Sequence, residues 1–171
     1  MSRAPAEDGP RTDESPPAPL RRPDAPVPDP AVTESSLAEL LSRVEHLVSR
    51  RMEQALSPNG LPLDQWRVLH LLAERAERGA AMSGIAAGIG VPAPTLTKIV
   101  DRLVESALVH RRIDETDRRR VLVFLSAHGR EVHDRSAVAV ADADAGLAAH
   151  LGEVDAGLLS ALLARLLHRL G

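Results

Sequence analysis

Pro92-Ala-Pro-Thr-Leu-Thr-Lys-Ile-Val-Asp-Arg-Leu103 precedes, by ten residues, the run Asp114-Glu-Thr-Asp-Arg-Arg-Arg120, and Val121-Leu-Val-Phe-Leu125 follows directly. Prolines are tolerated at the start of a helix, because first-turn amides have no intrahelical partner. A helix beginning within 92–95 places Leu96, Ile99, Val100, Leu103 and Val104 on one apolar stripe. Thr95, Thr97, Lys98, Asp101, Arg102 and Glu105 then lie off the stripe. Arg102 follows Lys98 by one turn and shares its face. Leu108 to Ile113 and Arg120 to Leu125 read as paired strands joined by the charged loop. A polar-faced helix beside an arginine-tipped hairpin has the chemistry to read a DNA groove and grip the adjacent backbone.

Working upstream, Ser83 is a good N-cap for a short helix over Gly84 to Ile89, with Gly90 as a left-handed stop. A longer helix starts near Leu63-Asp64, carries Trp66, Leu69, Leu72 and Ala73, and ends before Gly79. Helix, turn, helix and hairpin in this order make a winged helix-turn-helix. Further upstream, Ser36-Leu37-Ala38-Glu39 is a capping box. It opens a helix with Leu37, Leu40, Leu41, Val44, Leu47, Val48, Met52 and Leu56 at helical spacing, ended by Ser57-Pro58-Asn59-Gly60. Residues 1–32 hold nine prolines and few large apolar groups, a composition that cannot offset its ordering entropy and predicts a disordered tail.

Downstream, a helix over roughly Ala127 to His150 is followed by one from about Glu153. The latter carries Leu158, Leu159, Leu162, Leu163, Leu166, Leu167 and Leu170. This stripe exceeds what a winged domain of this size needs to cover, which points to a homodimer interface shared with the first helix. The expected organisation is a tail at 1–32, a first helix in 33–62, a winged helix-turn-helix at 63–126 and dimerisation helices at 127–171. The fold class is mainly α with a small β-hairpin wing.

Composition narrows the function. The chain of 171 residues has no cysteine, which excludes disulfides, thiolate zinc sites and thiol redox sensing. It has no apolar run of membrane-spanning length and no apolar leader, so no membrane partner and a cytoplasmic location are expected. Trp66 and Phe124 are the only large aromatic residues. Net charge is −3, yet residues 92–130 hold eight Lys and Arg against five acids, a balance of +3 that leaves −6 elsewhere. Local positive charge, not the total, makes a phosphate-binding surface.

Thr95–Leu103, Asp114–Arg119 and Val121–Gly129 together resemble the MarR family of transcription regulators, in the family's order and at its spacing. The resemblance runs from Leu63 to Gly129, and the flanking helices fit the family's dimerisation region. It implies a winged-helix regulator, most often a repressor, that binds double-stranded DNA as a homodimer on a pseudo-palindrome. Thr97, Lys98 and Arg102, with Thr95 beside them, would face the major groove. Asp117 and Arg119 match the family's Asp-x-Arg element. Arg119 would enter the minor groove and Asp117 would orient it or another arginine. Arg118 and Arg120 would meet phosphates. Arg111 and Arg112 are weaker candidates, expected as structural partners of Asp114. Ala107 departs from the family's usual glycine at the recognition-helix exit. A small-molecule effector is also implied, with His46, Arg50, Trp66 and His70 as its expected lining, although Trp66 also suits a core anchor.

Other classes fit less well. No Ser-His-Asp arrangement, glycine-rich phosphate loop or clustered carboxylate pair points to an enzyme. Seven histidines raise the alternative of a metal-responsive regulator, but no His-Glu-x-x-His pattern is present and no metal or other cofactor is expected. A protein-interaction module using the leucine stripe without DNA is the remaining alternative.

Overall fold

The computed structural model describes residues 35–75, 78–114 and 116–170; the expected tail at 1–32 lies outside them. Two compact units divide the chain, residues 1–40 and 41–171. In the first, the capping box forms as read. The Ser36 amide donates to Glu39 Oε2 at 2.8 Å, and the Glu39 amide donates to Ser36 Oγ at 3.2 Å. It opens α1 (Leu37–Leu56), which runs into the second unit. A short 3-10 turn, Ser57–Asn59, ends on Gly60 at φ 61°.

The second unit continues with α2 (Leu63–Glu74), β1 (Ala80–Ala81), α3 (Met82–Ile89), α4 (Ala93–Glu105), β2 (Val109–Ile113), β3 (Val121–Leu125), α5 (Ala127–Leu151) and α6 (Glu153–Leu170). The strands form an antiparallel sheet in the order β1-β3-β2. Val109 faces Leu125, and Ile113 faces Val121 at the loop end. β1 was not expected. It pairs Ala80 with Val123 and Ala81 with Leu122, and two alanines leave no periodicity to read. This strand also corrects the start of α3. Ala81 leaves the sheet in extended conformation (φ −69°, ψ 149°) and takes the N-cap position with no side-chain cap bond. Ser83 therefore falls inside the first turn rather than capping it.

The core joins Leu56, Val68, Leu69, Leu72, Ile85, Leu96, Val100, Leu103 and Val123, each no more than 1% exposed. Truncating one such leucine to alanine costs about 2–5 kcal/mol. The stripe on α4 is one residue narrower than expected. Leu96, Ile99, Val100 and Leu103 are buried, while Val104 is 37% exposed. Each residue advances about 100° around a helix, and Val104 sits at the edge of an arc centred on Leu96 and Leu103.

The exit of α4 bears on the site. The Leu108 amide donates to the Leu103 carbonyl and the Ala107 amide to the Val104 carbonyl, both at 2.9 Å. This is a Schellman cap, and its C′ residue must be left-handed. Ala107 takes φ 55°, the only non-glycine with positive φ among the described residues. The family's usual glycine geometry is thus kept with an alanine. Ser126 then ties this exit to α5. Its hydroxyl donates toward the Ala107 and Leu108 carbonyls, at 2.7 and 3.0 Å, and accepts the Gly129 amide at 2.8 Å. A Cβ at Gly129 would collide with the Leu108 carbonyl oxygen, so α5 starts directly against the backbone that leaves α4.

Candidate nucleic-acid interface

α4 buries its apolar stripe and leaves Thr95, Thr97, Lys98 and Arg102 exposed. The Thr97 hydroxyl donates to the Ala93 carbonyl at 3.0 Å, which leaves its lone pairs and its methyl group for an outside partner. Among the described residues, Lys98 and Arg102 have no acidic partner. Asp101, between them in sequence, does: it binds Arg111 Nη2 at 2.7 Å. That bond joins the recognition helix to β2. It also corrects the expectation that Arg111 pairs with Asp114.

Arg112 is likewise engaged elsewhere, its guanidinium carbon 5.4 Å from the centre of the Phe124 ring, within cation–π reach. Asp114 serves the hairpin loop instead. Its Oδ1 accepts the Thr116 amide at 2.9 Å and the Thr116 hydroxyl at 2.6 Å, while its Oδ2 lies 3.8 Å from Arg120 Nη1. The Asp114 amide donates to the Arg120 carbonyl at 3.0 Å and closes the loop. The Thr116 hydrogen bonds, above all that of its hydroxyl, hold the Asp114 carboxyl below its ordinary value. Its contribution to loop order is therefore present above the ordinary carboxylate range and is lost as pH falls through the lowered value.

Asp117 braces the tip through the backbone. Its Oδ1 accepts the Arg119 amide at 3.0 Å, and its carbonyl accepts the Arg120 amide at 2.9 Å. Asp117 is thus spent on the turn, and the Arg118 and Arg119 guanidinium groups are exposed with no acidic partner among the described residues. The candidate interface is a set of outward cations, Lys98 and Arg102 on the helix and Arg118 and Arg119 on the wing. Internal bonds made by Asp101, Asp114 and Asp117 hold the two pieces in shape.

The four expected ligand-lining residues do not converge. Trp66 and His70 line a cleft of about 310 Å³ with Arg67, Leu71, Glu74, Gly88 and Ile89. Arg50 lines a different one, about 330 Å³, with Leu47, Arg51, Gln54 and Leu147, and exposed His46 lines neither. Spacing fixes which residues share a face of one helix, but not how two helices are rotated against each other. Trp66 is 5% exposed and stacks on His133 with centroids 4.9 Å apart and planes 4° from parallel. Sequence reasoning missed His133. Only Gly129, His133 and Ser136 are buried on α5, a face of small and polar residues that a search for apolar periodicity passes over. Among the described residues, no group of three or more His, Asp or Glu is placed to hold a metal ion. Nor is any single helix there long and apolar enough to cross a membrane.

Comparison with known proteins supplies the context. Residues 59–120 match the MarR family model. A transcriptional regulator of the MarR family from Rhodococcus sp. RHA1 is 30% identical, with a TM-score of 0.68 over 76% of this chain and 94% of that one. The transcriptional repressor CouR, solved bound to a 23-mer DNA duplex, is 25% identical, with a TM-score of 0.72 over 83% of this chain and 99% of its own. Among curated proteins, the uncharacterized HTH-type transcriptional regulator YwoH of Bacillus subtilis is 31% identical over 98 residues, which are 57% of this chain and 69% of YwoH. Two further curated relatives are matched over about half their length. With its helix-turn-helix, its three-stranded wing and its outward cations in place, the chain belongs to the MarR family of DNA-binding transcriptional regulators.

Proposed function

We propose that the chain represses transcription as a homodimer bound to a pseudo-palindromic operator. The observation that carries this reading is the pairing of free cations on α4 and on the wing, held together by the Asp101–Arg111 bond. Lys98 and Arg102 donate to base edges in the major groove, guanine O6 and N7 being the natural acceptors. Thr97 offers its methyl group and lone pairs beside them, and Thr95 contacts the same strand. Arg119, on a tip braced by Asp117, enters the minor groove, where a narrow A·T tract concentrates negative potential. Arg118 and Arg120 meet phosphates. Residues 63–126 form the DNA-binding part in this reading, and the helices in 33–62 and 127–171 form the dimer.

Two recognition helices related by a two-fold axis must stand about 34 Å apart to enter successive major grooves. A small-molecule effector regulates by favouring a dimer with a different spacing. The cleft lined by Trp66, His70 and Glu74 is its site, because it opens between α2 and α3, the elements on which α4 rests. The protein works in the cytoplasm, where its operator is. Footprinting the purified protein on the DNA flanking its own gene tests the reading. Protection of two half-sites one helical turn apart supports it, and no protection at moderate salt overturns it.

A further inference from the structure

Trp66, His70 and His133 form a stack in which every imidazole nitrogen faces a polar partner. His70 Nδ1 and His133 Nε2 are 3.2 Å apart, with their rings 16° from parallel. The stack is flanked at each end by a carboxylate. His133 Nδ1 lies 2.8 Å from Asp134 Oδ1, and His70 Nε2 lies 3.8 Å from Glu74 Oε1. Glu74 and His70 come from α2, and His133 and Asp134 from α5. The stack is therefore the polar contact between the helix beneath the DNA-binding elements and the long helix that follows the wing.

The carboxylates settle the proton positions. Asp134 holds a proton on His133 Nδ1, so neutral His133 presents the Nε2 lone pair to His70. His70 Nδ1–H donates to that lone pair, which leaves its Nε2 facing Glu74. A proton added to His70 Nε2 leaves this hydrogen bond intact and gains Glu74 as partner. A second proton has only His133 Nε2 to occupy. It sets N–H against N–H and brings two imidazolium ions to hydrogen-bond distance. Among the described residues, the other charge on this cleft is already committed. Arg67, on the same cleft, is held by Ser49 at 3.3 Å and Glu45 at 3.8 Å from α1. α3 presents only Gly88 and Ile89 to the cleft, and Asn59 of the 3-10 turn is bonded to Ser136 at 3.1 Å.

We propose that the His70–His133 pair is a pH-sensitive latch between α2 and α5, closed with one added proton or none and opened by the second. With the latch open, α2 is released from α5 and the recognition helices lose their fixed spacing, so operator affinity falls on acidification. The regulatory half of this inference rests on the operator reading above; the latch itself does not. The sign is that of a hydrogen bond needing an unprotonated imidazole. It is present while His133 Nε2 carries no proton and is lost when acidification places one there.

Trp66 is the chain's single tryptophan and touches both imidazoles, so its fluorescence reports the latch directly. We expect its emission in the full-length protein to change as the buffer is taken from about pH 8 to about pH 5, and the thermal midpoint to drop as the latch opens. Affinity for a duplex from upstream of its own gene should fall about tenfold or more over the same range. His133→Gln keeps an acceptor for His70 but takes no proton. It should retain the neutral-pH affinity and flatten the acid limb, with folding checked by circular dichroism. A His133→Gln protein whose affinity falls with pH as the parent's does overturns the proposal. So does a parent whose Trp66 emission is indifferent to pH, a measurement that needs no variant. A duplex bound at neither pH defeats the operator reading instead, and the fluorescence and melting curves still decide the latch.

Discussion

Arg119 shows how residue and frame divide the work. Its guanidinium is exposed and has no acidic partner among the described residues, while its amide is fixed by Asp117 at 3.0 Å, so the side chain is aimed without being consumed. Arg119→Ala should weaken operator binding by about 1–3 kcal/mol, about fivefold to more than a hundredfold, with the thermal midpoint unchanged. Equal affinity in a gel shift at moderate salt would remove Arg119 from the interface. Lys98→Ala should alter the ranking of operator variants as well as the affinity, and a uniform loss across variants would recast Lys98 as a phosphate contact. At this scale the sequence was informative about which side chains are cationic and exposed. It was less so about partners. Arg111 reaches Asp101, ten residues back on another element, and His133 meets Trp66 and His70 across the fold. Such pairings depend on tertiary distances that spacing along one element does not encode.

At the scale of elements, the capping box, the helix α4 and the hairpin all lie where their residues placed them, because local signals specify them: side-chain caps, periodicity and turn chemistry. The departures come from contacts between elements. Pairing of Ala80 and Ala81 with β3 drew α3 forward to Met82, overriding the cap preference of Ser83. Ala107 is the converse, a local strain that the fold imposes. An L-residue in the left-handed region costs about 1–2 kcal/mol, and glycine recovers part of this against its larger unfolded-state entropy. Ala107→Gly should therefore raise stability by about 0.5–1 kcal/mol in denaturant melts. A decrease would mean that the Schellman cap is not the conformation this exit adopts in solution.

At the scale of the whole molecule, α6 has no fully buried residue, although leucine dominates it. Leu158, Leu159, Leu162, Leu167 and Leu170 are 41–78% exposed, and on α1 Val44 and Leu47 are also exposed. Burying one such leucine side chain contributes about 1.5–3 kcal/mol, so a lone chain forgoes a large stabilisation that a second copy supplies. The double variant Leu159→Asp/Leu162→Asp should sediment as a monomer or unfold, and should lose operator binding in either case. A dimer of parental affinity would place the interface elsewhere. That the stripe needs a partner was readable from leucine count and length alone. The spacing at which the partner holds the second reading head is a property of two chains, and no single-chain pattern carries it.

The bond between Asp101 and Arg111 has an evolutionary side. A change at either residue frees the other to solvent and loosens the wing from its helix. Among the described residues, Lys98, Arg102, Arg118 and Arg119 answer to no acidic partner. A descendant lineage can exchange them one at a time, acquiring a new operator while inheriting the chassis unaltered.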